Sequence, residues 1–124
     1  MVNAYDGTLL SSYIESGGTS SQRFYKNGLL IDSSSNVYIC YRNNNLKFEL
    51  TKFSVATPPS ITTAWGREIF NSAAGETYGT SLVFGADATE IFAGGYYRTN
   101  NNRAEASFFR ITNTGTISWH YAYD

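Results

Sequence analysis

Charge is scarce in this sequence, and several kinds of protein fall away with it. Only 15% of its 124 residues are Asp, Glu, Lys or Arg, against roughly a quarter in an ordinary globular chain. Nine basic residues oppose ten acidic ones, for a net charge of −1. That balance excludes binding to nucleic acid by phosphate neutralisation, and it excludes an acidic solvating tail. Cys40 is the single cysteine, so no internal disulfide can form. The longest apolar run, Val37-Tyr38-Ile39-Cys40-Tyr41, is far short of the ~18 residues that span a bilayer as a helix. The first residues, Met1-Val2-Asn3-Ala4-Tyr5-Asp6, have neither a basic nor an apolar signal region, and no signal peptide is expected.

Polarity comes instead from 14 Ser, 13 Thr and 11 Asn, set among 20 aromatic residues. Hydrophobic residues still make up 42%, enough for a core. Such a mixture suits β structure. No window of ~11 residues sustains an apolar 3.6 period. The best helical stretch, 63–74, contains Gly66 and follows Pro58-Pro59, and it is rejected. Strand-like runs fall at 8–14, 28–32, 37–42, 47–55, 63–70, 80–84, 90–97, 104–112 and 116–123. Turn signals separate them, among them Ser33-Ser34-Ser35-Asn36, Asn43-Asn44-Asn45, Asn100-Asn101-Asn102 and Asn113-Thr114-Gly115. Short strands at that spacing predict an all-β sandwich, barrel or propeller.

An internal repeat decides among these. Residues 28–32 align with 81–85 at an offset of 53, and 37–41 with 91–95 at 54. Residues 47–54 align with 105–112 at 58, and 63–65 with 117–119 at 54. The offset changes only in turns, where length is tolerated. Each unit carries four strands in about 54 residues, the pattern of a propeller blade. A further copy of the fourth strand stands at 6–11, where Asp6-Gly7-Thr8-Leu9-Leu10-Ser11 matches Thr114-Gly115-Thr116-Ile117-Ser118-Trp119. The expected organisation is an extra outer strand at 1–14, blade one at 15–70 and blade two at 71–124.

These residues resemble the bacterial-type β-propeller repeat. In that family a strand similar to I-Y-V-A-G-Y follows an Asp-rich turn, and a G-x-L-x-W strand closes the blade. Here Glu90-Ile91-Phe92-Ala93-Gly94-Gly95-Tyr96 and Gly115-Thr116-Ile117-Ser118-Trp119 stand in those places. The first copy matches through Leu30-Ile31-Asp32 and Asn36-Val37-Tyr38-Ile39. It departs at 55–60, where a Pro-Pro loop replaces the Asn-Gly turn, and Ser11 stands where the N-terminal copy would carry Trp. The resemblance implies four-stranded antiparallel blades, two per chain. Repeats of this kind occur in bacterial surface proteins and phage structural proteins, so it implies a virion or cell-surface setting.

Chemistry is sparse. His120 is the only histidine, too few for a zinc site with one cysteine. No nucleophile-elbow sequence surrounds any serine, and Asp32 and Asp87 fall in turns where Asp caps the local backbone. No cofactor, metal or catalytic residue is expected. Two features recur once per unit. The first is a basic residue beside an Asn run: Arg42, Asn43, Asn44 and Asn45 in one copy, Arg98, Asn100, Asn101 and Asn102 in the other. The second is Trp65 and Trp119. Both have an ordinary structural reading, as hairpin turns and blade packing, and a functional one, as polar or stacking contacts to protein or glycan.

A ring needs about four to eight blades. Two blades must find others, either by association of copies, for instance three, or in a longer chain. The expected role is a non-enzymatic structural or adhesion component with protein partners; the alternatives are an oligomeric lectin and, third, a small secreted hydrolase. Neither nucleic acid nor membrane insertion is expected.

Overall fold

The computed structural model describes residues 23–43, 45–56, 60–69, 76–98 and 104–123. The expected strand at 8–14 and the extra outer strand at 1–14 lie outside them. The described residues are all strand and turn. Eight strands run β1 (Arg23–Ile31), β2 (Val37–Arg42), β3 (Phe48–Ala56), β4 (Ser60–Ile69), β5 (Glu76–Phe84), β6 (Glu90–Arg98), β7 (Ala104–Thr112) and β8 (Ile117–Tyr123). They form one curled mixed sheet in the order β4-β3-β2-β1-β5-β6-β7-β8, a half-barrel. The sheet consists of two antiparallel meanders, β1–β4 and β5–β8. They meet at a single parallel bridge between their first strands, Asn27 to Ser81.

Pairing registers repeat between the meanders. Val37 pairs Phe53 as Ile91 pairs Ile111, and Leu29 pairs Ile39 as Leu82 pairs Ala93. Lys52 pairs Trp65 as Arg110 pairs Trp119. Even the irregularity in the third hairpin recurs, between Lys52 and Phe53 and again between Arg110 and Ile111. Such a register is strongly specified, because slipping by one residue would send every side chain to the opposite face.

The hairpins close by a shared device. In the turns at 32–36, 43–47, 85–90 and 112–116, one residue is left-handed: Ser35, Leu46, Ala88 and Gly115, with φ of 65°, 61°, 55° and 89°. In each, the left-handed residue donates its N–H to the carbonyl three residues back. Side chains at the turn entrances satisfy the freed N–H groups. Asp32 Oδ1 accepts from Ser34 and Asn36, and Asn43 Oδ1 accepts from Asn45 and Lys47.

Curling brings the two meanders together across the concave side, and the core lies between them. Tyr38, Cys40, Phe48, Leu50 and Ile69 come from the first meander; Leu82, Ile91, Ala93, Phe109 and Ile111 come from the second. Phe48 meets Phe109 edge to face at 5.5 Å, and Tyr38 meets Phe84 at 5.6 Å, spacings favoured by aromatic quadrupoles. Phe48 also lies over Gly79, where an added Cβ would stand 2.2 Å from its ring. Only glycine lets the β5 backbone approach so closely.

Candidate functional site

One member of each conspicuous sequence feature, Arg42 and Trp65, is absorbed by the joint between meanders. Arg42 is buried, and its Nη1 donates to the Tyr78 hydroxyl at 2.7 Å and to Glu76 at 3.3 Å. Its guanidinium also lies 4.8 Å from the centre of the Tyr78 ring, a geometry for cation–π attraction. The Tyr78 hydroxyl in turn donates to Glu76. Asn43 is buried as well; its Nδ2 donates to Glu68 at 2.6 Å and to Glu49 at 3.1 Å. Asn45 is exposed beside Glu68, and Arg98 is exposed at the end of β6. Asn44, Asn100, Asn101 and Asn102 lie outside the described residues.

The two tryptophans occupy equivalent positions in different surroundings. Trp65 is half-buried on the concave side, edge to face with Tyr38 at 6.1 Å. Its Nε1–H donates to the Asn113 carbonyl at 3.1 Å, and its ring covers Gly115. Beside it Lys52 donates to the same carbonyl at 3.4 Å, and Arg67 donates to the Gly115 carbonyl at 2.9 Å. The outer strands of the first meander thus grip the β7–β8 turn of the second. Trp119 is 41% exposed on the convex side and leans on Phe92 at 6.3 Å.

Around Trp119 lies a feature that motif reading missed. A groove of about 330 Å³ runs over the convex face of the second meander, lined by Ser81, Val83, Phe92, Gly94, Phe108 and Trp119. Val83 and Phe108 are 58% and 49% exposed. Arg110, paired with Glu90, stands on the same face next to Phe92. Gly94 opens the floor: a Cβ there would come within 2.9 Å of Ser81 Oγ. The convex face of the first meander carries a smaller groove of about 220 Å³, lined by Val37, Ile39, Phe53 and Ile61, with Leu29 and Ile31 exposed on the same face. A signal for both grooves exists in the sequence. Leu29-Leu30-Ile31, Leu82-Val83-Phe84 and Phe108-Phe109 are apolar in both phases of the strand. Strands of that kind are built to be covered on both faces.

Titratable groups behave as structural ones. Burial pushes the Cys40 thiol up to about 12, so it stays protonated and inert inside the core. His120 stacks flat on Phe109 at 4.4 Å, and burial lowers its pKa below 6.5. Burial alone would raise the Asp32 pKa; hydrogen bonds from Asn36, Tyr38 and the Ser34 N–H outweigh that and hold it below the ordinary value. Among the described residues no three His, Cys, Asp or Glu side chains gather as a metal site.

No protein-family model, curated protein or solved structure matches this chain.

Proposed function

We propose that the chain is a non-enzymatic structural or adhesion component, a pair of propeller-type blades that works by protein contact in a virion or on a cell surface. The observation that carries this reading is the exposed groove of Val83, Phe92, Phe108 and Trp119. A contiguous apolar patch rimmed by polar groups is the mark of an interaction site. The propeller reading is supported by the two four-strand meanders, their repeated registers and the parallel juxtaposition of their first strands. The virion or surface setting rests on the repeat's resemblance and on the charge-poor, Asn- and Tyr-rich composition.

One observation favours a second reading. Trp119 offers an open indole beside Phe92, a platform on which a sugar face can stack. Trp65 is committed to the Asn113 turn, so a lectin built on this chain has one open tryptophan and not two.

A photo-reactive benzoylphenylalanine at position 108 tests the proposal in the organism that makes the protein. A covalent adduct to protein, of whatever identity, is the expected result. No protein adduct, together with saturable glycan binding that Trp119→Ala abolishes, replaces the structural reading with the lectin.

A further inference from the structure

The two meanders are copies of one unit, but the unit's two faces are used differently in each. In the first meander Leu30, Tyr38, Cys40, Leu50 and Trp65 turn to the concave side and are covered by the second. Their counterparts in the repeat are Val83, Phe92, Gly94, Phe108 and Trp119, the convex groove. The relation also runs in reverse. The second meander covers the first with Leu82, Phe84, Ile91 and Ala93, whose counterparts are Leu29, Ile31, Val37 and Ile39 on the other convex face. At several of these positions exposure inverts: Leu50 is 0% exposed and Phe108 49%, while Leu82 is 7% exposed and Leu29 52%; Phe53 and its counterpart Ile111 are buried in both.

Each unit therefore has a receiving face and an inserting face. Inside the chain, the receiving face of the first meander holds the inserting face of the second. Among the described residues, what remains open is the receiving face of the second meander and the Leu29–Ile31 part of the inserting face of the first, where Thr51 and Phe53 farther along the same face are buried. These are the two halves of the contact that the chain already makes with itself. The operation that carries the first meander onto the second, applied once more, sets the next unit's inserting face on the Phe108 groove.

We infer that the occupant of this groove is the Leu29–Ile31 face of a second copy of the chain, and that copies join head to tail into a closed ring. The inference rests on the protein-contact reading above and names its partner. The interface is heterologous, joining unlike patches, and such contacts give a ring when the rotation closes. With two units per chain and about four to eight blades per propeller, the ring holds about two to four copies. The covered joint supplies the template for the details. Lys52 reaches from the receiving face to a carbonyl of the neighbouring unit's turn. Arg110 occupies the position of Lys52 on the open receiving face, with Trp119 paired beside it as Trp65 is beside Lys52.

Native mass spectrometry of the full chain and of two variants tests this. Phe108→Glu destroys the open receiving face; Leu29→Glu destroys the open inserting face. The expected result for the unaltered chain is a single species at a small multiple of 13.7 kDa, and each variant alone is a monomer. The decisive sample is their equimolar mixture. The Phe108→Glu chain keeps its inserting face and the Leu29→Glu chain keeps its receiving face, so the mixture forms a dimer and stops there. Complementation of this kind requires both variants to fold. Val83→Glu and Ile31→Glu form a second pair should one of the first fail to.

A folded monomer for the unaltered chain overturns the inference. So does dissociation by Phe108→Glu alone, which marks a like-to-like contact, and so does a mixture that remains monomeric. Open filaments overturn ring closure. If the chain is monomeric while position 108 cross-links to a different protein, the protein-contact function stands and self-assembly falls.

Discussion

The first and second meanders share a register and a hairpin irregularity, yet several equivalent positions are core in one and surface in the other. Leu50 and Phe108 occupy one place in the repeat, as do Tyr38 and Phe92, and Trp65 and Trp119. What separates them is the neighbour. The first meander's receiving face is closed by the second meander, and no described residue closes the second's. Burial in a repeat protein is therefore a property of the joint between units, in line with stability as a sum over units and interfaces.

Truncation at the joint should break this comparison most visibly. Phe48→Ala removes the ring that packs on Phe109 and Gly79, and a loss of about 3–5 kcal/mol is expected. Its counterpart in the second meander is already Ala106, and exposed. Leu50→Ala should cost about 2–5 kcal/mol, whereas Phe108→Ala should cost under ~1 kcal/mol. Both are best measured in the Leu29→Glu background, so that assembly does not add to apparent stability. Urea midpoints at constant slope give the values. Equal losses at Leu50 and Phe108 would mean that the convex groove is covered within the chain itself.

The tryptophan pair sharpens the same contrast at smaller scale. Trp65→Phe keeps most of the bulk over Gly115 but loses the bond to the Asn113 carbonyl. A destabilisation of about 1 kcal/mol is expected, since the carbonyl also accepts from Lys52. Trp119→Phe in the monomeric background should fall within about 0.5 kcal/mol of no effect. Arginines divide likewise. Arg42→Ala takes the cation from the Tyr78–Glu76 pair in a half-buried site and leaves the two oxygens bonded only to each other, a loss of about 1–3 kcal/mol. Arg98→Ala, at an exposed strand end, should again stay within about 0.5 kcal/mol. Thermal melts of the four variants give the order, and an Arg98 effect as large as that of Arg42 would contradict the contacts described.

Much of this architecture was legible in the sequence, because strand period, turn residues and repeat offset are local signals. β2 and β7 begin and end where the pattern puts them, and 63–69 is strand despite Gly66. β5 begins at Glu76, four residues before the run at 80–84 suggested. Gly79 lies inside that strand, where its missing Cβ is what admits Phe48. The functional surface was legible only indirectly. Arg42, Asn43 and Trp65 stood out by residue type; contacts across the joint use up Arg42 and Trp65, and Glu49 and Glu68 of the same meander use up Asn43. Val83, Phe92 and Phe108 did not stand out, because an apolar residue on a strand looks like core until its neighbour is known to be absent.

The smallest expected effect concerns the one histidine, and it tests how tightly β8 closes the second meander. Gly66 holds its place in the first meander, beside Thr51 on β3; His120 instead lies flat on Phe109 of β7. Burial against that ring disfavours the imidazolium and lowers the His120 pKa below 6.5. The unfolded chain then binds more protons than the folded one as His120 titrates. Stability is whole above the unfolded value and declines as the pH falls through 6.5 and on through the lower folded pKa. Because His120 is exposed at the sheet edge, the decline is a fraction of what full burial would give. With no second imidazole in the chain, the Cε1 proton gives one NMR titration curve, and its midpoint should lie below 6.5. His120→Phe should keep the stacked pair and remove the slope of stability between roughly pH 7 and 5, a range where Asp32 and Asp87, both held below the ordinary carboxylate value, stay ionised. A midpoint at or above 6.5 would mean that the ring stands free in water and that β8 frays from β7, leaving Trp119 without the firm backing that a receiving face requires.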